Sequence, residues 1–191
     1  MVESLRTHYG CGLALGVLLA RAARVDLIIG CTDTAWSRLV LNALAFAYSI
    51  RVVDIGVELQ AEGSMGACVT IAGPDAGCLW CTGVIDERRL RAEQSPPALR
   101  EAHRALGYVP DLNAPEPSVV SINGVVASMA VTEVLHRLVH FRPAGATPPT
   151  TLVYRPADGT VRRVAAQSGR CSYCSGSNAG ACDAAILPTR S

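Results

Sequence analysis

The chain has 191 residues, enough for one domain or for one domain with a small appendage. Half of the residues are apolar, the formal net charge is +1, and all 17 basic residues are arginine. A core can therefore be buried, and no run of charge indicates nucleic acid as a partner. The N-terminus lacks the pattern of a signal peptide, and no apolar run reaches the ~18 residues of a membrane span. We expect a cytoplasmic protein without a membrane partner.

The first half of the chain has the pattern of an α/β protein. Apolar runs bounded by glycine predict strands, and helical spacing of apolar residues predicts helices. We expect helices at Leu13–Ala23 and Ala35–Tyr48, and strands at Val25–Gly30, Arg51–Gly56 and Ala67–Ala72. The order strand, helix, strand favours a parallel sheet with Val25–Gly30 as a central strand.

The second half is more varied. The charged stretch Asp86–Arg104 predicts one or two exposed helices, broken at the two prolines that follow Ser95. Ser118 is expected to cap a long and largely buried helix, Val119–Val139. An Asp-Gly pair between Thr151–Tyr154 and Thr160–Val164 predicts a β-hairpin.

Two Cys-x-x-Cys pairs are the strongest chemical signal. Each pair, Cys78 with Cys81 and Cys171 with Cys174, can place two thiolates on one ion, and together they complete a closed four-sulfur zinc site. The roughly 90 residues between the pairs exceed a compact zinc finger, so the ion would staple distant parts of the chain. A closed site leaves no position for water, which favours a structural role. Two redox motifs or two disulfides are the alternatives.

The other four cysteines have no such spacing. Single cysteines in apolar runs are usually small core residues, and we expect this of Cys11, Cys31 and Cys68. Cys182 lies in the small, polar C-terminal tail.

A polar cluster follows the first predicted strand. Asp33 lies where ligands bind in open α/β sheets, and its carboxylate is a suitable ligand for magnesium carried by phosphates. Arg38, about one turn into the next helix, would neutralise phosphate or pair with a carboxylate. The simpler alternative is that Asp33 or Thr34 caps the helix, and that Asn42 is an ordinary polar helix residue.

These features together resemble the ThiF/MoeB/HesA group, the bacterial relatives of ubiquitin-activating enzymes. The resemblance begins with the strand and turn of residues 26–34, continues through Arg38 and Asn42, and includes the two correctly ordered knuckles. It covers roughly residues 25–175. Thr34 stands where the family has an asparagine.

The resemblance implies an adenylyltransferase. Family members activate the C-terminal carboxylate of a ubiquitin-like or sulfur-carrier protein with ATP and Mg²⁺, and dimerise. Asp33 and Arg38 would then be catalytic, with Asp33 holding magnesium. Asp33, Thr34 and Asn42 would contact the nucleotide, and the four knuckle cysteines would hold Zn²⁺.

The resemblance is incomplete. The family's Gly-rich loop after an apolar strand is absent, since Gly10-Cys11-Gly12 has a different spacing, and the sequence has no lysine. We therefore expect a C-terminal portion of such an enzyme, with a partial nucleotide-binding α/β region at 1–75. A knuckle, crossover-helix and hairpin region of the same domain would span 76–175, and a flexible tail 176–191.

In such an enzyme the charged stretch 86–104 would form a lid or crossover loop over the bound peptide, or only a solvated face. Two other functions are alternatives to the enzyme. The first is a non-catalytic zinc-stapled module that binds a protein partner. An NAD-dependent dehydrogenase would share the α/β pattern, but the dinucleotide fingerprint is missing.

Overall fold

The computed structural model describes residues 21–22, 24–59, 65–74, 76–106, 119–143 and 150–165, together with Cys171 and Cys174. Four helices and five strands lie in these ranges. The helices are α1 (Ala35–Ala47), α2 (Glu87–Gln94), α3 (Pro97–Ala105) and α4 (Val120–Val139). The strands are β1 (Leu27–Gly30), β2 (Arg51–Leu59), β3 (Met65–Ala72), β4 (Thr151–Arg155) and β5 (Thr160–Val164). The predicted helix Leu13–Ala23 lies outside the described residues except at Arg21 and Ala22, and the predicted tail lies wholly outside them.

The predicted strand–helix–strand unit is confirmed. β1 and β2 pair in parallel, with Leu27 opposite Arg51 and Gly30 opposite Asp54, and α1 connects them. Thr34 caps α1, because its side-chain oxygen accepts a hydrogen bond from the amide of Ser37 at 3.1 Å.

The sheet is mixed, so the α/β class is confirmed but parallel pairing is confined to β1 and β2. The strand order is β1-β2-β3-β4-β5, and every pair after the first is antiparallel. Few residues separate β2 from β3, and a parallel pair requires a crossover of a dozen or more residues. The predicted hairpin is confirmed as β4 and β5, which extend the same sheet.

The prediction that the first strand is central was wrong for the described part of the chain. β1 lies at the edge of this sheet, and Ile29 is 52% exposed. An apolar run of four residues shows that a strand is favourable, but it does not show how many neighbours the strand has.

The core lies on both faces of the sheet. Successive residues of a strand point to opposite faces. Val52 accordingly packs in one cluster with α1 and α2, whereas Val53 packs in another with α4. Ile122, Val126 and Ala130 are the α4 residues that face the second cluster.

The expectation that the long helix is largely buried was wrong. Only one stripe of α4 lies against the sheet, and Val131 and Leu138 are 53% and 70% exposed. Its N-cap is Val119, without a side-chain cap bond, and Ser118 lies outside the described residues. α4 is also the one described helix long and apolar enough to cross a membrane by length and composition. Such a helix is weak evidence for a span, since core helices pass the same test.

Candidate metal centre and acidic turn

The four knuckle cysteines converge on one point. Their sulfur atoms all lie within 4.8 Å of one another. The Sγ atoms of Cys78 and Cys81 are 3.4 Å apart, those of Cys78 and Cys171 are 3.6 Å apart, and those of Cys81 and Cys174 are 3.5 Å apart. Four sulfurs at about 2.3 Å from a tetrahedral zinc ion would be about 3.8 Å apart. The cluster therefore has the chemistry and nearly the dimensions of a four-thiolate zinc site.

These distances speak against the disulfide alternative. A disulfide joins its sulfurs at about 2.05 Å, whereas these cysteines are free thiols. Two separate redox motifs would also have no reason to meet. The pairs instead come together from positions 93 residues apart, as a single metal staple requires.

Local hydrogen bonds shape the first knuckle for a metal ion. The amide of Cys81 donates to the sulfur of Cys78 at 3.3 Å, and the hydroxyl of Thr82 donates to the carbonyl of Leu79 at 3.0 Å. Gly83 follows with a φ of 75°, a left-handed conformation that glycine adopts without strain. The chain thus turns back over its own thiols.

Burial affects the protonation of these thiols. It is the first cause of the raised pKa of the Cys78 thiol, and it also helps to raise the pKa of Cys174 to about 11. Both thiols are therefore protonated at neutral pH unless a cation balances their charge. Metal binding would supply that charge and release the protons.

The acidic turn, which we define as residues 31–36 and which contains Asp33, joins the carboxyl end of β1 to the start of α1. Asp33 is exposed, and Thr34 next to it is the helix cap, so the capping alternative is confirmed for Thr34. The Asp33 side chain faces solvent beyond the end of β1, where ligands of open α/β proteins bind. The predicted ligand contacts of Asp33 and Thr34 stay predictions.

Arg38 takes the second of its two predicted roles. Its Nε lies 3.2 Å from Oδ2 of Asp54, whose side chain is completely buried in β2. Burial raises the pKa of the Asp54 carboxyl to about 6, although the charge of Arg38 acts in the opposite direction. The ion pair therefore lies within the protein and close to the acidic turn. Asp54 is paired with Gly30, the last residue of β1 before that turn.

Asn42 lies apart from the turn and next to the knuckle. It is fully buried, and its side-chain oxygen accepts a hydrogen bond from the amide of Leu79 at 2.8 Å. This contact gives Asn42 a structural role at the metal centre, and its predicted nucleotide contact remains a prediction.

The structure corrects the expectation for one cysteine. Cys31 is exposed and is not a core residue, while Cys68 is partly buried and Cys11 and Cys182 lie outside the described residues. Cys31 follows β1, where the chain leaves the edge of the sheet. Partial burial of its thiol, followed by the charges of Asp54 and Asp33, raises its pKa, so it is a weak nucleophile at neutral pH.

Three residues of this region were missed by the sequence analysis. Asp54 had a signal, since it is a charged residue between the apolar residues Val53 and Ile55. Arg89 and Glu93 of α2 contact the acidic turn directly. Their spacing of four residues suggests only a surface ion pair, so nothing in the sequence indicated that contact.

Comparison with known proteins gives one finding. A family profile described as ThiF family matches residues 17–176. The match covers the acidic turn, both knuckles and the helix between them. No curated protein matches the chain significantly.

Proposed function

The chain belongs to the ThiF family, and on that basis we propose that it takes part in an ATP-dependent adenylyl transfer. Membership suggests the superfamily of adenylyltransferases related to ubiquitin-activating enzymes. The substrate in this proposal is the C-terminal carboxylate of a ubiquitin-like or sulfur-carrier protein. The carboxylate oxygen attacks the α-phosphorus of ATP, the bond to the β-phosphate breaks, and pyrophosphate leaves.

The observation that supports the proposal is the position of Asp33. Its carboxylate lies exposed just beyond β1, on a turn fixed by the Thr34 cap. A hard oxygen ligand at this end of a sheet fits magnesium carried by the phosphates of a nucleotide. Mg²⁺ would neutralise phosphate charge there, and Asp33 would hold it.

The remaining residues have supporting parts in this proposal. Arg38 stays paired with Asp54 and joins α1 to β2 beneath the turn. Zn²⁺ at the four cysteines is structural, because a closed four-sulfur site offers no open position for chemistry. Thr34 would approach the nucleotide through the turn that it caps.

Exchange of radiolabelled pyrophosphate into ATP tests the reaction. The full chain, with a ubiquitin-like protein ending in a free carboxylate, should catalyse exchange, and Asp33→Ala should abolish it. The Asp158→Ala variant is a matched control, since Asp158 is an exposed acid of the β4–β5 turn. Equal exchange by wild type and Asp33→Ala would contradict the role of Asp33.

A second function has one specific observation in its favour. The amides of Ala35 and Trp36 at the start of α1 are both bonded to Glu93, so they are not available to a phosphate. This favours a non-catalytic module that binds a protein partner. Equilibrium dialysis with Mg²⁺-ATP separates the alternatives: binding that depends on Asp33 supports the enzyme, and no binding by the folded chain supports the module.

The exposed apolar side of α4 supports a homodimer. Val131, Leu135 and Leu138 expose 53%, 47% and 70% of their surface along this side, and a second copy would cover them. Sedimentation equilibrium should give a dimer for the wild type and a monomer for Leu138→Glu.

Reduced thiols at the metal centre support a cytoplasmic location as part of the same proposal.

A further inference from the structure

Helix α2 packs against α1 on one side, although its charged residues face solvent. Leu90 is 6% exposed and belongs to the buried cluster that contains α1, and Ala92 of the same helix is also fully buried. This packing orients two other side chains of α2, Arg89 and Glu93, towards the acidic turn at the start of α1.

Glu93 occupies the start of α1. Its Oε1 accepts a hydrogen bond from the amide of Ala35 at 3.0 Å, and its Oε2 accepts one from the amide of Trp36 at 2.8 Å. The first amides of a helix have no partner within the helix, and a negative charge is favourable there. The Glu93 side chain is only 7% exposed, so water competes little for these bonds.

Arg89 holds the other side of the turn. Its Nη2 donates to the backbone carbonyl of Asp33 at 2.9 Å, and its Nε donates to Oε1 of Glu93 at 3.3 Å. The Asp33–Trp36 backbone is therefore bonded from both directions by one ion pair on α2.

We propose that Arg89 and Glu93 are positioning residues for Asp33. The pair fixes the backbone on either side of the turn, so the Asp33 carboxylate projects from the end of β1 in one orientation. A magnesium ligand requires such an orientation, because Mg²⁺ accepts little departure from octahedral geometry. The ligand role of Asp33 rests on the proposed function, while the restraint of the turn does not.

Two variants and two matched controls test the inference in the full chain. Glu93→Gln keeps the size of the side chain but replaces one accepting oxygen by a nitrogen that cannot accept. Arg89→Gln removes the bonds of Arg89 to the Asp33 carbonyl and to Glu93, and leaves the bonds between Glu93 and the two α1 amides in place. Glu87→Gln and Arg91→Gln change the exposed ion pair of the same helix, whose side chains are 57% and 73% exposed.

The first readout is amide hydrogen exchange at Ala35 and Trp36. Loss of one bond should accelerate exchange by about tenfold in Glu93→Gln, and the two controls should match the wild type. The second readout is the Mg²⁺ concentration at half-maximal ATP binding. It should rise about tenfold in Glu93→Gln and Arg89→Gln, with zinc content unchanged.

The outcomes separate this inference from the proposed function. If the wild type binds Mg²⁺-ATP through Asp33 and both variants bind it equally well, the positioning role is wrong and the function stands. If the wild type shows no Asp33-dependent binding, the function is wrong, and exchange decides the inference alone. Unchanged exchange at both amides of Glu93→Gln would then overturn it. Should Glu93→Gln not fold, Glu93→Asp takes its place, because its shorter side chain cannot keep both amide bonds and should likewise accelerate exchange at Ala35 or Trp36.

Discussion

The side-chain oxygen of Asn42 accepts a hydrogen bond from the backbone amide of Leu79 at 2.8 Å, and both residues are fully buried. Asn42 lies on α1, two turns after the acidic turn, and Leu79 lies between the cysteines of the first knuckle. One helix therefore carries the acidic turn at its start and supports the metal centre further along. A change in the tilt of α1 would therefore displace both the acidic turn and the first knuckle.

Replacement of Asn42 by alanine should weaken the first knuckle. The amide of Leu79 would lose its partner in a site closed to water, which costs about 1–3 kcal/mol in free energy of unfolding. Zinc affinity should fall as well, because the knuckle would be less ordered before binding. Urea unfolding and competition with a zinc chelator measure the two effects. Asn123→Ala, on the exposed side of α4, is the control, and an equal loss in both variants would contradict this role.

Loss of a knuckle cysteine should remove the metal. Cys78→Ser and Cys174→Ser should each lose about one equivalent of zinc and melt at a lower temperature, because metal binding contributes directly to folding. Metal analysis and thermal unfolding measure these outcomes. Cys31→Ser should keep its zinc, since Cys31 lies outside the cluster. A well-folded wild type with almost no zinc after metal-replete purification would contradict the prediction.

The sequence predicted what depends on spacing. The two Cys-x-x-Cys pairs identified the cluster because its ligands are set by short local turns, and the Asp158-Gly159 turn identified the hairpin for the same reason. α1 followed from apolar residues at helical spacing. In each case the information lies within a few consecutive residues.

What depends on distant contacts was not predictable. The contacts of Glu93 with the amides of Trp36 and Ala35 join residues that are 57 and 58 positions apart in the chain. An Arg–Glu pair at a spacing of four residues occurs on any exposed helix, so its pattern does not reveal such a contact. The edge position of β1 and the exposed side of α4 were not predicted, for a related reason. An apolar residue shows a preference for burial, and it does not specify which surface covers it.

Asp54 should make stability depend on pH in the acid range. Its pKa is raised in the folded protein from 3.8 to about 6, so the folded state holds the proton more tightly than the unfolded state. The free energy of unfolding should therefore fall as the pH rises from about 4 to about 6, and this contribution should be constant above that range. The full change is roughly 3 kcal/mol, from about two pKa units.

The comparison with Asp54→Asn isolates this effect. Asparagine does not titrate, and release of zinc in acid affects both proteins alike. The difference in free energy of unfolding between the two should change across this range and then level off. Urea unfolding at a series of pH values measures it. A difference that is independent of pH would show that Asp54 has an ordinary pKa.

Gly30 and Gly124 should respond in opposite ways to alanine. A Cβ at Gly30 would lie 2.7 Å from Cδ1 of Leu41 and 3.0 Å from Oδ1 of Asp54, so Gly30→Ala must displace side chains packed against β1. The expected cost is about 1–3 kcal/mol. A Cβ at Gly124 meets nothing within 4 Å, and alanine within α4 should stabilise by roughly 0.5–1 kcal/mol. Thermal unfolding of both variants against wild type measures the signs. Gly124 lies two turns before Val131, on the side of α4 that the proposed homodimer covers. Destabilisation by Gly124→Ala as large as that by Gly30→Ala would therefore mean that the second copy packs closely against Gly124.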